Sequence, residues 1–422
     1  MKEVFSEGNI AGVKLKNKII RAATHEGLAD AVGNPTDALI QKYEALAKGE
    51  VGAIISGYAA IMQNGKSPLA NMLMIDKDET IPYYEKLVDR VHRYDTPIFL
   101  QITHCGRQTF SKITGMPTVA PSSIKDKLFS EDIPHELDDA EIYEIIKNFA
   151  NAIERAKKAG FDGVELQLSH GYLLSAFLSP HMNKRKDKWG GNSENRFRII
   201  REIMERAREK VGDYPIIAKI NGYEKSKDGL KLDEAILIAK YLEKSRCDAI
   251  EVSCGIAEEG FMAVRGDFPF DMIVQTNPLI KKVPKILYPV AKLILKHYYA
   301  SPEPRYLFNV ESAMEIKKNI KIPVIVVGGI RRLEDIENII RNELSDFVSM
   351  AKPFIVEPAI VKKFREGTQL QSRCLDCNYC QVGIEKSSLK CYYGRTCAKP
   401  MKGVNDLNKS ELKRSVDAML GR

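Results

Sequence analysis

The chain has 422 residues, of which 44% are hydrophobic and 28% charged, and its formal net charge is +8. This length suits one large globular domain with a small appendage, and no apolar run approaches the roughly 18 residues that a membrane-spanning helix needs. Residues 1–10 lack the apolar core of a signal peptide, so we expect a cytoplasmic protein. Lysine and arginine are interleaved with acidic residues, which indicates a solvated surface with some attraction for anionic cofactors. We expect a small-molecule partner, no nucleic acid and no membrane, and leave a homo-oligomer open.

Eight short apolar runs alternate with helical segments along the first 365 residues. They lie at residues 19–23, 52–56, 97–102, 163–166, 215–220, 249–252, 323–327 and 346–350. Runs rich in valine and isoleucine without polar alternation are typical of parallel strands buried on both faces. The alternation predicts an α/β fold, a (β/α)8 TIM barrel over residues 1–365.

The helix before the fourth strand shows how the sequence specifies such a unit. Asp138 can cap the helix, Leu137 and Ile142 can form a hydrophobic staple, and apolar residues then repeat at helical spacing until Gly160. We therefore predict a helix from Asp138 to the residues before Gly160.

Two segments fall outside the repeat. Residues 256–318 are longer than a βα unit requires, and KKVPKILYPVAKLILKHYY within them is apolar enough for a lid helix whose lysines suit an anionic ligand; an ordinary surface helix fits equally well. Residues 366–422 form a cysteine-rich extension with a predicted terminal helix. We expect that helix to pack on the barrel or on a partner subunit through its apolar stripe of Leu412, Val416, Met419 and Leu420.

Polar residues follow several of the predicted strands. Gln167, His170 and Tyr172 lie just past the fourth strand, Gln101 ends the third and Lys219 ends the fifth. Inward side chains at strand ends can hold a heteroaromatic ring, because an amide pairs with its edge atoms and a cation stabilises negative charge on it. Alternatively, Gln101 satisfies backbone groups and Lys219 pairs with an internal acid such as Glu251.

The run PVIVVGGIRR ends the seventh strand in Gly328 and Gly329, and SMAKPF follows one strand later. In barrels of this kind, the loops after strands seven and eight bind phosphate through backbone N–H groups that glycine leaves accessible. A tight turn would also use two glycines. Their position on the barrel favours a phosphate site.

Several segments together resemble the old yellow enzyme family, the NADH:flavin oxidoreductases. They are NKIIRAATHEG, LQITHCGRQ, GFDGVELQLSHGYLLSAFLSP, NKRKDKWGGNSENR, VVGGI and SMAKPF, and they cover about residues 10–365 in order. The resemblance implies an FMN-dependent barrel that takes hydride from NADH or NADPH and reduces an activated alkene. The FMN contacts that it implies are Ala22, Ala23 and Thr24 beside the flavin, Gly57 and Gln101 near its pyrimidine edge, Lys219 facing N1 and O2, and Gly328, Gly329, Ala351 and Lys352 at the phosphate.

The same resemblance assigns the substrate contacts. Gln167 and His170 would bind the substrate's carbonyl oxygen, and Tyr172 would protonate the α-carbon. Gln167 stands where relatives have histidine, and because an amide cannot become cationic, carbonyl activation should depend more on His170. His25 also departs from the family pattern, and it either tunes the flavin site or is an ordinary core histidine.

Five cysteines crowd into the extension with the pattern C-x2-C-x2-C-x10-C followed by Cys397. Thiolates at this spacing can converge on one ion, so a 4Fe-4S cluster or a structural zinc is predicted at four of them, and free thiols are the third alternative. The position resembles the cluster of the 2,4-dienoyl-CoA reductase branch. The predicted ligands are Cys374, Cys377, Cys380 and Cys391, with Cys397 free.

Three functions follow from these patterns. The first is an ene-reductase with FMN and NAD(P)H. The second is a flavin and iron–sulfur protein that passes electrons to an external partner. The third is a non-redox barrel that binds a phosphorylated ligand.

Overall fold

The computed structural model describes residues 3–127, 131–299 and 301–393. Eight parallel strands form a closed barrel, because each pairs with the next along the chain and the eighth pairs with the first through Val348 and Ile19. The strands are β1 (Ile19–Arg21), β2 (Ala53–Ile55), β3 (Ile98–Thr103), β4 (Gly163–Leu168), β5 (Ile216–Asn221), β6 (Ala249–Ser253), β7 (Val324–Val327) and β8 (Phe347–Met350). All eight predicted strands are confirmed, and their ends shift by two residues at most.

A helix follows each strand and covers the outside of the barrel. These helices are α1 (Asp37–Lys48), α2 (Ile81–His92), α3 (Asp139–Lys158), α4 (Ser193–Val211), α5 (Leu232–Lys244), α6 (Val310–Lys317), α7 (Leu333–Arg341) and α8 (Ile360–Arg365). The predicted (β/α)8 barrel is therefore confirmed. At α3, Asp138 accepts a hydrogen bond from the Glu141 N–H, and Leu137 and Ile142 are buried, so the predicted start of the helix is confirmed.

Side chains along each strand alternate between two cores. The outer core lies between strands and helices, whereas the inner core fills the barrel near the amino ends of the strands. A hairpin of Gly8–Ile10 and Val13–Leu15 packs Ile10 and Leu15 onto this inner core. In β5, Ile217 points into the inner core, and with a period of two the next inward residues are Lys219 and Asn221.

The inward positions become polar toward the carboxyl ends of the strands. Parallel pairing sets Gln167 beside Lys219, and Lys219 beside Glu251. Glu165 pairs in turn with Gln101 across β3 and β4. The strand register thus explains why apolar filling at one end of the barrel gives way to a polar chamber at the other.

Two additions cover that polar end. Between β6 and α6 lie the helices Phe270–Thr276, Pro278–Lys281 and Tyr288–Tyr299, so the helix expected in this segment is present. The segment 256–318 is not all insertion, because its last part is barrel helix α6. The second addition is the extension after α8, with the short helix Tyr379–Gly383.

The predicted terminal helix and Cys397 lie outside the described residues. In the part of the chain that the structure describes, none of the helices has the length and apolar character needed to cross a bilayer.

Shorter elements complete the described fold. The short strands are Ala59–Ala60, Leu73–Met74, Val119–Ala120 and His135–Glu136. The short helices are Glu3–Phe5, Gln63–Gly65, Asp78–Thr80, Ser111–Thr114, Leu173–Leu178, Ala257–Glu259, Lys285–Leu287 and Lys352–Val356.

Candidate active site

A cavity of about 500 Å³ opens at the carboxyl ends of the barrel strands. Three parts of the chain form its wall: the strand ends and their loops, the insert between β6 and α6, and the extension. The predicted site residues that line it are Ala22, Ala23, Thr24, Gln101, Gln167, His170, Tyr172, Lys219 and Ala351. His25, whose role the sequence left open, lines it as well.

His170 is held in an unusual backbone conformation. Its φ is 66°, in the left-handed region that costs a non-glycine residue about 1–3 kcal/mol. The Gln108 amide donates to the His170 carbonyl at 2.8 Å, and the His170 N–H donates to Asn221 Oδ1 at 3.2 Å. These two contacts hold the His170 backbone in this conformation at the cavity wall.

The His170 ring belongs to a hydrogen-bond chain. Its Nε2 lies 2.7 Å from the Ser253 hydroxyl, and its Nδ1 lies 3.4 Å from Gln167 Nε2. The Ser169 hydroxyl donates to Gln167 Oε1 at 2.7 Å, which orients the Gln167 amide nitrogen toward the histidine. Because that nitrogen can only donate, Nδ1 accepts and Nε2 carries the proton toward Ser253.

Burial, and then the nearby Lys219 charge, lower the pKa of His170 to about 3. The imidazole is therefore neutral near neutral pH. It can polarise a bound oxygen through the Ser253 hydroxyl to which it donates, but not by carrying a positive charge.

Tyr172 directly precedes the helix Leu173–Leu178 and lies against Tyr58, with ring centroids 5.6 Å apart. Burial raises the pKa of Tyr172 well above its ordinary value, and the nearby Tyr58 and Cys105 raise it further. Tyr172 is therefore protonated near neutral pH, as a proton donor must be.

His25 stacks on the other side of Tyr58, with ring centroids 5.2 Å apart and an interplanar angle of 19°. Its Nε2 donates to the Ala70 carbonyl at 3.2 Å. Burial lowers the pKa of His25, so this ring is neutral as well. The three rings of His25, Tyr58 and Tyr172 form one side of the cavity.

Lys219 combines the two roles that the sequence offered as alternatives. It lines the cavity, and its ammonium lies 2.5 Å from Glu251 and 3.9 Å from Glu165. Burial lowers the pKa of Lys219, but the two carboxylates more than offset this, so its pKa lies above the ordinary value. Gln101 donates to Glu165, whose own pKa is raised mainly by burial. One lysine thus balances a buried pair of acids below the cavity.

The predicted phosphate residues do not all reach the cavity lining. Ala351 does, whereas Gly328 and Gly329 pack beneath the segment before α6. At Gly329, with φ of 66°, a Cβ would lie 2.5 Å from the Arg305 carbonyl, so only glycine fits there. The phosphate roles of Gly328 and Gly329 stay predictions.

Lys352 also lies outside the lining. Its ammonium is 2.6 Å from Asp376 of the extension and donates to the Arg265 carbonyl at 2.7 Å. Arg331 contacts the same Asp376 at 3.0 Å. The two cations and one carboxylate leave a local excess of positive charge, and the phosphate role of Lys352 stays a prediction.

Gly57 lies behind the loop after β1 rather than in the lining. A Cβ there would lie 2.7 Å from the Thr24 carbonyl, and the Gly57 N–H donates to the Tyr43 hydroxyl at 2.8 Å. Its small size lets the loops after β1 and β2 approach closely. Its predicted flavin contact stays a prediction.

The four predicted cysteine ligands lie in the described extension. Burial, opposed by the Lys352 charge and helped by the neighbouring Cys377 and Cys391, raises the pKa of Cys380 to about 11, and Cys380 in turn raises the pKa of Cys374. The four thiols are therefore near neighbours. Within the described residues, however, no three cysteine, histidine or acidic side chains stand in a metal-binding arrangement. The metal centre stays a prediction.

Sequence reasoning missed the contribution of the extension to the cavity. Its residues Gln381, Val382, Ile384, Glu385 and Leu389 line the wall. The extension is fixed there because the Leu389 N–H donates to the Glu26 carbonyl at 2.8 Å and Lys42 donates to the Leu389 carbonyl at 2.9 Å. Three further residues of the cavity wall were not predicted from the sequence: Tyr58, Gln108 and Ser253. Ser253 ends β6 as Lys219 nears the end of β5, and that shared position was a usable signal.

The closed parallel barrel, with a polar cavity at the carboxyl ends of its strands, defines the class of ligand-binding (β/α)8-barrel proteins. Residues 3–277 match the NADH:flavin oxidoreductase / NADH oxidase family, and the chain belongs to this family of oxidoreductases. The predicted family is thereby confirmed.

Sequence similarity to individual proteins supports the family assignment. The chain is 36% identical to the NADH oxidase of Thermoanaerobacter brockii, over 90% of this chain and 53% of that protein. It is 34% identical to the metal reductase of Desulforamulus reducens, over 90% of this chain and 51% of that protein. The chain thus spans about half the length of these two relatives. It is 30% identical to an NADPH dehydrogenase of Listeria monocytogenes, over 86% of this chain and 94% of that protein.

Solved structures agree on the fold. A 2-naphthoyl-CoA reductase in complex with 2-naphthoyl-CoA superimposes with a TM-score of 0.79 at 24% identity, over 92% of this chain and 56% of that one. An old yellow enzyme homologue from Zymomonas mobilis gives a TM-score of 0.70 at 22% identity, over 91% and 99%. At these identities the likeness supports the barrel alone.

Proposed function

We propose that this chain is an FMN-dependent NAD(P)H oxidoreductase that reduces activated C=C bonds of the enone, enoate or dienoyl type. The observation that carries the proposal is a single cavity lined both by Gln101 and Lys219 and by Gln167, His170 and Tyr172. Gln101 and Lys219 can contact the edge of a heteroaromatic cofactor. The other three side chains can bind a carbonyl compound beside that cofactor. Family membership supports the reaction class.

The cavity fits FMN in size and chemistry. Its volume of about 500 Å³ falls within the roughly 300–1,000 Å³ of cofactor sites. Ala22, Ala23 and Thr24 would form a wall without bulky side chains, and Gln101 and Lys219 would contact the ring edge. When bound, FMN would carry hydride from NAD(P)H to the substrate. The groups proposed to hold its phosphate are Gly328, Gly329, Ala351 and Lys352.

The substrate's carbonyl oxygen would bind at the hydrogen-bond chain of Gln167, His170 and Ser253. The neutral His170 donates to Ser253, which leaves the serine hydroxyl proton free to turn toward the oxygen, and Gln167 has a second N–H to offer. These donors withdraw electron density from the alkene and so make its β-carbon more electrophilic. Tyr172, protonated because its pKa is raised, would donate the proton to the α-carbon.

The test of the cofactor assignment is chemical. Flavin released by acid from the purified protein, or from protein incubated with FMN, should be FMN at about one per chain, as one phosphate site implies. Recovery of FAD, or failure to retain FMN, would overturn the assignment.

A second candidate function is electron transfer to an external partner through a metal centre in the extension. Its support is that Gln381 and Val382, directly after Cys380, line the same cavity. Reduced protein that transfers electrons rapidly to a ferredoxin or cytochrome, without turnover of any alkene, would favour it. Iron, sulfide and zinc assays on protein purified without oxygen distinguish a 4Fe-4S cluster from a structural zinc.

A further inference from the structure

The insert between β6 and α6 exposes a cluster of apolar side chains on the outside of the protein. Within nine positions, the exposed fractions are 85% for Ile286, 49% for Leu287, 55% for Val290, 71% for Leu293 and 53% for Ile294. Single exposed apolar residues are normal on a protein surface, but a contiguous cluster of this kind marks an interaction site. We call these five side chains the outer face.

The other side of the same helix faces the cavity. Leu295 and Tyr299 line the cavity, and Tyr288 packs edge-on against Phe270 with ring centroids 5.7 Å apart. Positions 288, 295 and 299 fall on one side of the helix Tyr288–Tyr299, and positions 290, 293 and 294 fall on the other, while Ile286 and Leu287 lie in the short helix directly before it. One helix therefore separates the cavity from the outer face.

The surroundings of the outer face are strongly basic. Residues 272–302 contain five lysines and neither aspartate nor glutamate. Lys281, Lys282, Lys285 and Lys296 are exposed, and among the described residues no carboxylate forms an ion pair with any of them. Apolar side chains flanked by unpaired lysines are the pattern of a helix that lies in a membrane interface.

We propose that the outer face docks on an anionic lipid surface, and that the cavity behind it takes apolar unsaturated carbonyl compounds dissolved in that surface. The second half of this statement rests on the proposed function. The apolar side chains would enter the boundary between headgroups and acyl chains, and the lysines would contact lipid phosphates. This proposal differs from the expectation of no membrane partner, because the residue pattern along the chain does not tell which side of the helix is covered.

Charge argues against two other occupants. In a symmetric dimer, the outer face of one copy would meet the same basic face of the other. Residues 394–422 of the chain are themselves basic, with seven lysines and arginines against three acidic residues. An anionic surface is complementary to the outer face, whereas these two are not.

Vesicle flotation tests the docking. The parent protein should float with vesicles of phosphatidylcholine and phosphatidylglycerol, should not float with phosphatidylcholine alone, and should be released by salt. Lys285→Gln and Lys296→Gln should each weaken binding about fivefold, the equivalent of about 1 kcal/mol per lysine. The variant Ile286→Glu with Leu293→Glu should not bind. The matched control Ile133→Glu changes a side chain that is 66% exposed elsewhere and should bind like the parent.

Three results would overturn the docking proposal. One is equal binding to both kinds of vesicle, and another is unchanged binding of the Ile286 and Leu293 variant. The third is a concentration-dependent dimer, measured by sedimentation, that this variant abolishes, because the occupant is then a second copy. Circular dichroism checks that the exposed substitutions leave the fold intact.

Rates of enone reduction test the docking proposal and the proposed function independently. An apolar enone in anionic vesicles should be reduced several times more slowly by the outer-face variant than by the parent, while both reduce a water-soluble enone equally. Vesicle binding without reduction of either enone would leave the docking standing and refute the proposed function. Equal rates with the vesicle-bound enone would refute the supply of substrate from the membrane.

Discussion

Removing the Lys219 ammonium should destabilise the protein much more than removing a surface lysine. The Lys219 side chain is 4% exposed and lies 2.5 Å from Glu251 and 3.9 Å from Glu165, both of which are fully buried. Breaking a buried pair by deleting one partner costs about 3–5 kcal/mol, because a carboxylate is left in a poorly solvated site. Lys219→Met should therefore lose about that much free energy of unfolding near neutral pH.

The pH dependence of this loss has a definite sign. Burial raises the pKa of Glu165 above the value of about 4.3 for an unfolded glutamate, and removal of the Lys219 charge, which opposes this rise, raises it further. The folded variant then binds more protons than the unfolded chain near neutral pH, so its stability increases as the pH falls toward that value. The deficit of Lys219→Met relative to the parent should shrink in mildly acidic buffer. A second substitution, Glu251→Gln, should recover a large part of the loss at neutral pH.

The assay is urea unfolding of the flavin-free proteins, followed by circular dichroism. The matched control is Lys317→Met, which removes a partly exposed lysine 2.6 Å from Asp346 and should cost at most about 1 kcal/mol. If Lys219→Met costs no more than Lys317→Met, or if its deficit grows on acidification, Lys219 does not balance the buried acids and the reasoning fails.

Three further predictions concern the site. Tyr172→Phe should slow alkene reduction about 10²- to 10⁴-fold while leaving flavin reduction by NAD(P)H nearly unchanged, and equal stopped-flow reoxidation rates in variant and parent would remove it from the mechanism. Because the pKa of His170 is lowered to about 3, the pH profile of kcat/KM should show no inflection from this residue between neutral and mildly acidic pH. An inflection near the ordinary pKa of histidine that His170→Gln abolishes would contradict a neutral His170 ring. Serine substitution at any one of the four predicted ligands should release the metal while FMN is retained; these ligands are Cys374, Cys377, Cys380 and Cys391. Loss of the metal from Cys397→Ser, together with full metal content in Cys391→Ser, would show that Cys397 is the fourth ligand instead of Cys391.

The barrel could be predicted from the sequence because its signals are local. Each strand is a short run of apolar residues, and each run is separated from the next by an amphipathic helix with its own start and stop. The start of α3 illustrates this, since the cap at Asp138 and the staple of Leu137 and Ile142 involve neighbours within five positions. The two largest shifts run in opposite directions: β1 ends at Arg21 although apolar residues follow it, whereas β4 continues past its apolar run through the polar Gln167.

The site could be predicted only in part, because its walls depend on contacts between distant segments. Strand ends pointed to Gln101, His170 and Lys219, all of which line the cavity. No local pattern indicates that Leu389 bonds to Glu26 across the barrel mouth, so the extension was missed as a wall. The pairing of Lys352 with Asp376 likewise follows from packing of the extension and not from any motif.

The sequence also offered Lys219 as either a cofactor ligand or an ion-pair partner. Both contacts are compatible, because an inward side chain near a strand end has neighbours on the adjacent strands and the cavity above it. The strand register, which the sequence pattern does not determine, places Lys219 beside Glu251 and also at the cavity wall.

The proposed function requires that FMN binds in the cavity of this chain and that an activated alkene is reduced there. The most direct measurement is a single-turnover experiment without oxygen, in which FMN-loaded protein is reduced with NADPH or NADH, freed of excess nucleotide and mixed with an enone while the flavin absorbance is followed. We expect the oxidised flavin spectrum to return and one saturated carbonyl product to form per flavin. A flavin that stays reduced in the presence of enones, enoates and dienoyl thioesters would contradict it.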